Sequence, residues 1–239
     1  MQDGHQQSEA FNKYPKLALG LWHGMPFPTF MRLFLAESCS FSWRRTDRAV
    51  SIFFASMLNS VLNVADGAVF ARRVRNSELS EPPLFILGHW RTGTTLLHEL
   101  LIRDPQFSYP TTFQCLAPRH FLLSGRVLPE LLGLLLPKRR PMDNMPVGWT
   151  RPQEDEFGLA NGGVPSSYWY WLYPDRPCAY DHYLDLSGLS PAELERWKDG
   201  FVTFAKRVTM RDPRRLILKS PTHTARVKTL LEIFPDAQF

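Results

Sequence analysis

The sequence predicts an α/β fold in which helices cover a parallel sheet, and three observations predict it. Short apolar runs at residues 84–87 and 216–218 are bounded by turn or polar residues. They show no alternation, as expected of strands buried on both faces. Each run leads into a helical pattern: leucines at 96, 97, 100 and 101 after the first, and Val227, Leu230, Leu231 and Phe234 after the second. Between the first run and its helix, Gly88 and Gly93 bracket a tight turn. With 239 residues and 44% hydrophobic side chains, the chain can bury one core of ordinary α/β size.

Taken in order, residues 1–45 read as loop with one brief helix near 30–35. Thr46 and Asp47 form an N-cap, and Phe53, Phe54, Met57, Leu58, Val61 and Leu62 have helical spacing to about residue 75. Arginines flank this helix: Arg44, Arg45 and Arg48 before it, and Arg72, Arg73 and Arg75 at its end. Ser56, Asn59, Ser60, Asn63 and Asp66 interrupt it, which argues against a membrane span of about 20 mostly apolar residues. Contact of residues 46–76 with a membrane surface is the alternative weighed. A core helix packed on its own domain is the expectation. Residues 1–80 are therefore read as an N-terminal helical extension, and 81–239 as the main domain.

Beyond the first helix of that domain, Arg103-Asp104-Pro105 supplies a stop, and 107–109 is a second strand. Apolar helices occupy 111–136, and Lys138-Arg139-Arg140 reads as a solvated face of a polar loop. Glu154-Asp155-Glu156 precedes an aromatic segment, Tyr168-Trp169-Tyr170-Trp171-Leu172-Tyr173. That segment suits either a core helix or the wall of an apolar acceptor pocket. Ser190-Pro191-Ala192-Glu193 is a capping box that starts a helix to about residue 211. A strand ending in Lys219-Ser220 follows, then a helix over 222–234. A large helical insertion thus separates the first and third core strands. Residues 235–239 look like the opening of another strand, so the chain reads as a fragment.

A net charge of +5 and a pI near 9.2 suit anionic ligands. No lysine-rich stripe or aromatic–basic repeat points to nucleic acid. Cys39, Cys115 and Cys178 are odd in number and far apart, which gives neither a disulfide framework nor a metal site. With no apolar core in residues 1–16, the expected location is cytoplasmic, with peripheral membrane contact as the variant.

Gly88-x4-Gly93-Thr94-Thr95 copies the phosphate-loop frame G-x-x-x-x-G-K-[ST], with Thr94 in the lysine position and Arg91 as the cation within the loop. Strand, glycine turn and helix N-terminus together predict a P-loop NTPase-like three-layer fold with an anion at the loop. Without the lysine, hydrolysis of a nucleoside triphosphate is disfavoured. A nucleotide or small-molecule kinase would need Lys at 94 and a strand-end Asp for magnesium, where Lys219 stands. In an open parallel sheet ligands bind beyond the C-terminal strand ends, so Arg91 and Lys219 should converge on one anion.

Arg91-Thr92-Gly93-Thr94-Thr95 after an apolar strand resembles the 5′-phosphosulfate loop of the sulfotransferase superfamily. It is closest to the Arg-Ser-Gly-Thr-Thr form of the Golgi and bacterial branches. Lys219-Ser220-x-x-His223 and the Gln153-Glu154-Asp155-Glu156 segment are similar to the bacterial type as well. The resemblance implies transfer of a sulfuryl group from 3′-phosphoadenosine-5′-phosphosulfate (PAPS), without a metal, to a hydroxyl or amine of a small-molecule, lipid or carbohydrate acceptor. It places Gly88, Thr92, Gly93, Thr94 and Thr95 on the 5′-phosphosulfate, with Ser220 as a further contact. Arg91 then faces the leaving oxygen and Lys219 polarises the sulfuryl group. The base is Glu154 or Glu156, with His223 as the other candidate; His98 is expected to face solvent. The family's 3′-phosphate strand would lie beyond Phe239, so this polypeptide alone is expected to bind PAPS weakly. A non-catalytic scaffold on a decayed loop is the rival outside enzymology.

Overall fold

The computed structural model describes residues 19–36, 46–136, 145–172 and 180–239. The basic run at 138–140, Cys39, Cys178 and Tyr173 lie outside the described residues. Within them, a parallel sheet holds β1 (Leu84–Ile86), β2 (Phe107–Ser108) and β3 (Arg215–Lys219) in the order β1-β3-β2. Ile86 is aligned with Lys219 on one side, and Phe107 with Arg215 on the other. β3 takes the centre because Leu216, Ile217 and Leu218 present apolar side chains to both faces, each no more than 1% exposed. On the free side of β1, Phe85 N donates to Gln238 O at 2.8 Å, beside an isolated parallel bridge.

The helices are α1 (Phe27–Ala36), α2 (Thr46–Asn76), α3 (Thr94–Leu101), α4 (Thr112–Leu116), α5 (Phe121–Ser124), α6 (Leu128–Leu131), α7 (Asp155–Asn161), α8 (Pro191–Arg211) and α9 (Val227–Ile233). α4 to α8 form the insertion before β3. α8 starts on the expected box: Glu193 accepts from Ser190 N at 2.9 Å, and Glu193 N donates to Ser190 Oγ at 3.3 Å. Its Trp197, Phe201, Phe204, Ala205 and Val208 recur at helical spacing and join Phe85, Leu216 and Leu218 in the main core. The helix expected over 222–234 is broken. A 3-10 turn, Pro221–Ala225, precedes α9, and the junction residue Arg226 sends its side chain inward.

α2 has the expected length but its faces are reversed. Ser56, Asn59, Asp66 and Val74 are its buried residues. Asn59 Nδ2 donates to His23 O at 2.6 Å, Phe27 N to Ser60 Oγ at 2.8 Å, and Leu123 N to Asp66 Oδ2 at 3.0 Å. Asp66 also pairs with Arg207 at 2.6 Å, both side chains nearly inaccessible. Phe54, Val61 and Val64 are 64%, 67% and 74% exposed. α2 thus packs on its own domain, as expected, but the expected apolar face is corrected: polar side chains make the contact, with partners in the turn before α1 and in α1, α5 and α8. α3 shows a similar reversal, with Leu96, Leu97 and Leu100 exposed and His98 buried.

Candidate functional site

The loop between β1 and α3 is shaped by two glycines. Gly93 caps α3 with φ +86, a left-handed conformation that other residues adopt at a cost. Gly88 has no room for a side chain, since a Cβ there would lie 2.5 Å from Thr94 Cγ2. Gly88 N donates to Thr224 Oγ1 at 2.9 Å, tying the loop to the turn after β3, and Thr92 Oγ1 closes on His89 O at 2.7 Å. Arg91 stands exposed with φ +66, a conformation that costs a non-glycine residue about 1 kcal/mol or more. Arg91, Thr92 and Gly93 are open to solvent, and the first turn of α3 leaves N–H groups without intrahelical acceptors. The arrangement can hold an anion.

Lys219, at the end of β3, reaches the same place from the neighbouring strand. Its Nζ lies 3.4 Å from Thr95 Oγ1 and 2.7 Å from Glu154 Oε1. The lysine side chain is 3% exposed and the glutamate 17%, so the carboxylate keeps an opening that the ammonium lacks. Tyr168 OH donates to Glu154 Oε2 at 2.6 Å. Burial, reinforced by Glu154, pushes the Tyr168 phenol well above its ordinary pKa, so it remains a donor. Trp171 stacks on Tyr168 at 4.5 Å and is 42% exposed, which puts an open apolar wall beside the carboxylate. Glu154 can face this way because it is the extended residue before α7, while Asp155 and Glu156 belong to the helix.

Those two carboxylates go inward. Asp155 Oδ2 stands 2.7 Å from His223 Nε2, and neither side chain is accessible. Burial works against the Asp155 charge, but His223 beside it holds the carboxyl below its usual value. His223 lies edge-on to Phe85 and Phe201, with ring centres 5.2 and 5.8 Å away. It is not at the surface of a helix start. Glu156 takes Arg226 on both oxygens, at 2.5 and 3.2 Å, and accepts further from Thr222 and Ser166. Ser220 Oγ accepts from Glu156 N at 3.1 Å and is fully buried. Of the expected residues, the loop, Lys219 and Glu154 therefore meet at one mouth, with Arg91 on its exposed rim. Glu156, His223 and Ser220 form a buried layer behind it. Tyr168, Asp155, Thr224 and Arg226 were not foreseen; only the aromatic run gave a hint, for Tyr168.

His98 is 1% exposed, against the expectation that it faces solvent. Burial, with Lys219 nearby, pulls its pKa from 6.5 to about 3. Below pH 6.5 the unfolded chain therefore takes up a proton that the folded chain refuses, and stability falls with pH. Between pH 7 and 5 this group should cost on the order of 2 kcal/mol. Urea midpoints at the two pH values check it, and His98→Phe should remove that share of the acid sensitivity.

A sequence model described as the sulfotransferase family matches residues 82–239. The omega-hydroxy-beta-dihydromenaquinone-9 sulfotransferases Stf3 of Mycobacterium bovis and Mycobacterium tuberculosis are each 44% identical over 234 residues. The match covers 98% of this chain but 60% of those proteins, so the chain spans about three-fifths of the curated relatives' length. Among solved structures, sulfotransferase STF1 from Mycobacterium tuberculosis superposes with a TM-score of 0.51 at 16% identity, over 87% of this chain and 57% of its own. STF9 from Mycobacterium avium gives 0.52 at 22% identity, over 72% and 45%. These two likenesses bear on the fold.

Proposed function

The chain belongs to the sulfotransferase family, and from that premise we propose that it moves a sulfuryl group from PAPS to the hydroxyl of a lipid acceptor. The observation that carries the reading is Lys219, buried at a strand end between Thr95 of the anion loop and the half-open carboxylate of Glu154. We infer that residues 81–239 hold this site and residues 1–80 are its helical extension.

The loop fits a 5′-phosphosulfate: an open mouth, a glycine pressed against Thr94, and unpaired helix N–H groups beside threonine hydroxyls. PAPS bound there supplies an activated sulfuryl group. Glu154 accepts the acceptor's proton as its oxygen bonds to sulfur and the bond from sulfur to the bridging phosphate oxygen breaks. A carboxylate has about four lone-pair sites. Lys219 and Tyr168 use two, so Glu154 can still take a proton. Lys219 meets the charge on the sulfuryl oxygens, and Arg91 meets the charge on the departing oxygen. The kinase reading lacks its lysine, and an assembled Lys219–Glu154–Tyr168 chain is not what a decayed scaffold would retain.

The lipid acceptor is supported by the relatives, which are named for a menaquinone-derived substrate, and by the apolar wall of Trp171 and Tyr168 next to Glu154. Transfer of labelled sulfate from PAPS to a hydroxylated isoprenoid quinol tests the reading. Lys219→Met should lower kcat by about 10²–10³-fold. Absence of transfer to any hydroxylated lipid by the unmutated protein overturns it.

A further inference from the structure

Between residues 49 and 71 the one ionisable side chain of α2 is Asp66, and it is buried. The outward side carries Val50, Phe54, Leu58, Val61, Val64 and Val69, each about half or more exposed. It spans roughly 30 Å at 1.5 Å per residue. This face ends in Arg72, Arg73 and Arg75, all exposed, and Lys206 is held at the same end by its bond to Arg75 O at 3.2 Å. The opposite side of the helix is committed to the domain through Asn59, Ser60 and Asp66. α2 therefore cannot turn its apolar face inward or leave the domain to cross a bilayer without breaking those bonds.

We propose that the outward face of α2 docks the protein on an anionic lipid surface, with the helix lying in the plane of the interface. Apolar side chains enter the headgroup boundary, and the basic end meets lipid phosphates. A convex single-helix face without a groove, aliphatic along its length and cationic at one end, fits a lipid interface in both shape and charge. The inference stands apart from the choice of acceptor, because it rests on α2 alone.

Flotation of the whole chain with phosphatidylcholine vesicles, with and without phosphatidic acid, tests it; neither lipid carries the alcohol hydroxyl that the transfer proposed above requires. The protein should float with the anionic vesicles and lose that binding at high salt. Phe54→Glu and Val61→Glu should each lower binding by at least about tenfold, and Arg72→Gln by about fivefold. Both apolar positions face solvent, so thermal midpoints should be unchanged. Arg72→Gln with Arg73→Gln serves as a second variant that leaves the apolar face intact. No flotation with anionic vesicles overturns the proposal, as does unaltered binding by the glutamate variants. A monomer–dimer equilibrium abolished by Phe54→Glu also overturns it, assigning the face to a second copy.

Discussion

Glu154→Gln should reduce kcat for sulfuryl transfer by about 10²–10⁴-fold, the range supplied by a positioned general base. KM for the acceptor should stay near its original value. The amide keeps the shape of the carboxylate, with its oxygen accepting from Lys219 and its NH2 donating to the Tyr168 oxygen, but it cannot take a proton. Glutamine is the better probe than alanine, because Lys219 is nearly inaccessible and the amide oxygen leaves its ammonium an acceptor that alanine would remove. Tyr168→Phe removes one hydrogen bond to the base and should cost about tenfold, mostly in kcat. The competing assignment makes the opposite forecast. If His223 were the base, His223→Gln would abolish transfer while Glu154→Gln stayed within about threefold of the unmutated rate. His223 is fully buried between two phenylalanine rings and against Asp155, with no path to an acceptor oxygen. Steady-state rates for the two variants, each measured below its own thermal midpoint, separate the cases.

What the sequence revealed about this site was what is encoded locally. Gly88 and Gly93 at P-loop spacing specify a turn, and a lysine ending an uninterrupted apolar strand marks the sheet edge where ligands bind. Ser190 with Glu193 fixed the start of α8 for the same reason. Helical period told which residues share a face, yet it could not say which face is inside. For α2 and α3 the sharing was right and the sign was wrong. The sign is set by distant partners: His23, Leu123 and Arg207 for α2, and the packing around Tyr109 for His98. In Glu154-Asp155-Glu156 the sequence offered the acids but not which of them turns inward. Nothing near them in sequence announces His223 and Arg226, about 70 residues on, which take Asp155 and Glu156 into the interior. The break at Arg226 was hidden too, because a helix that continues and one interrupted to bury a guanidinium have the same apolar spacing.

Arg226→Met should destabilise the fold by about 3–5 kcal/mol, since it strips the countercharge from a carboxylate that has no contact with water. Urea denaturation with an unchanged m-value should show it as a lower midpoint. Thr222 and Ser166 still donate to Glu156, but two neutral hydroxyls do not replace a bidentate guanidinium. Arg226 also donates to Leu184 O and Tyr183 O and lies over the Trp197 ring at 4.8 Å. For that reason the double substitution Arg226→Met with Glu156→Gln should recover most of the loss, though not all. Removing both charges is close to neutral, while each orphaned carbonyl keeps a cost of about 1 kcal/mol. A double variant as unstable as the single one would mean the arginine acts through those carbonyls and Trp197, not through Glu156. The same pair carries a consequence for catalysis. Glu156 N holds Ser220 directly after Lys219, and Glu156 lies two residues from Glu154. The buried pair therefore sets the distance between the proposed base and the lysine. A double variant that regains its stability but not its kcat would identify Glu156 and Arg226 as positioning residues for the Glu154–Lys219 mouth.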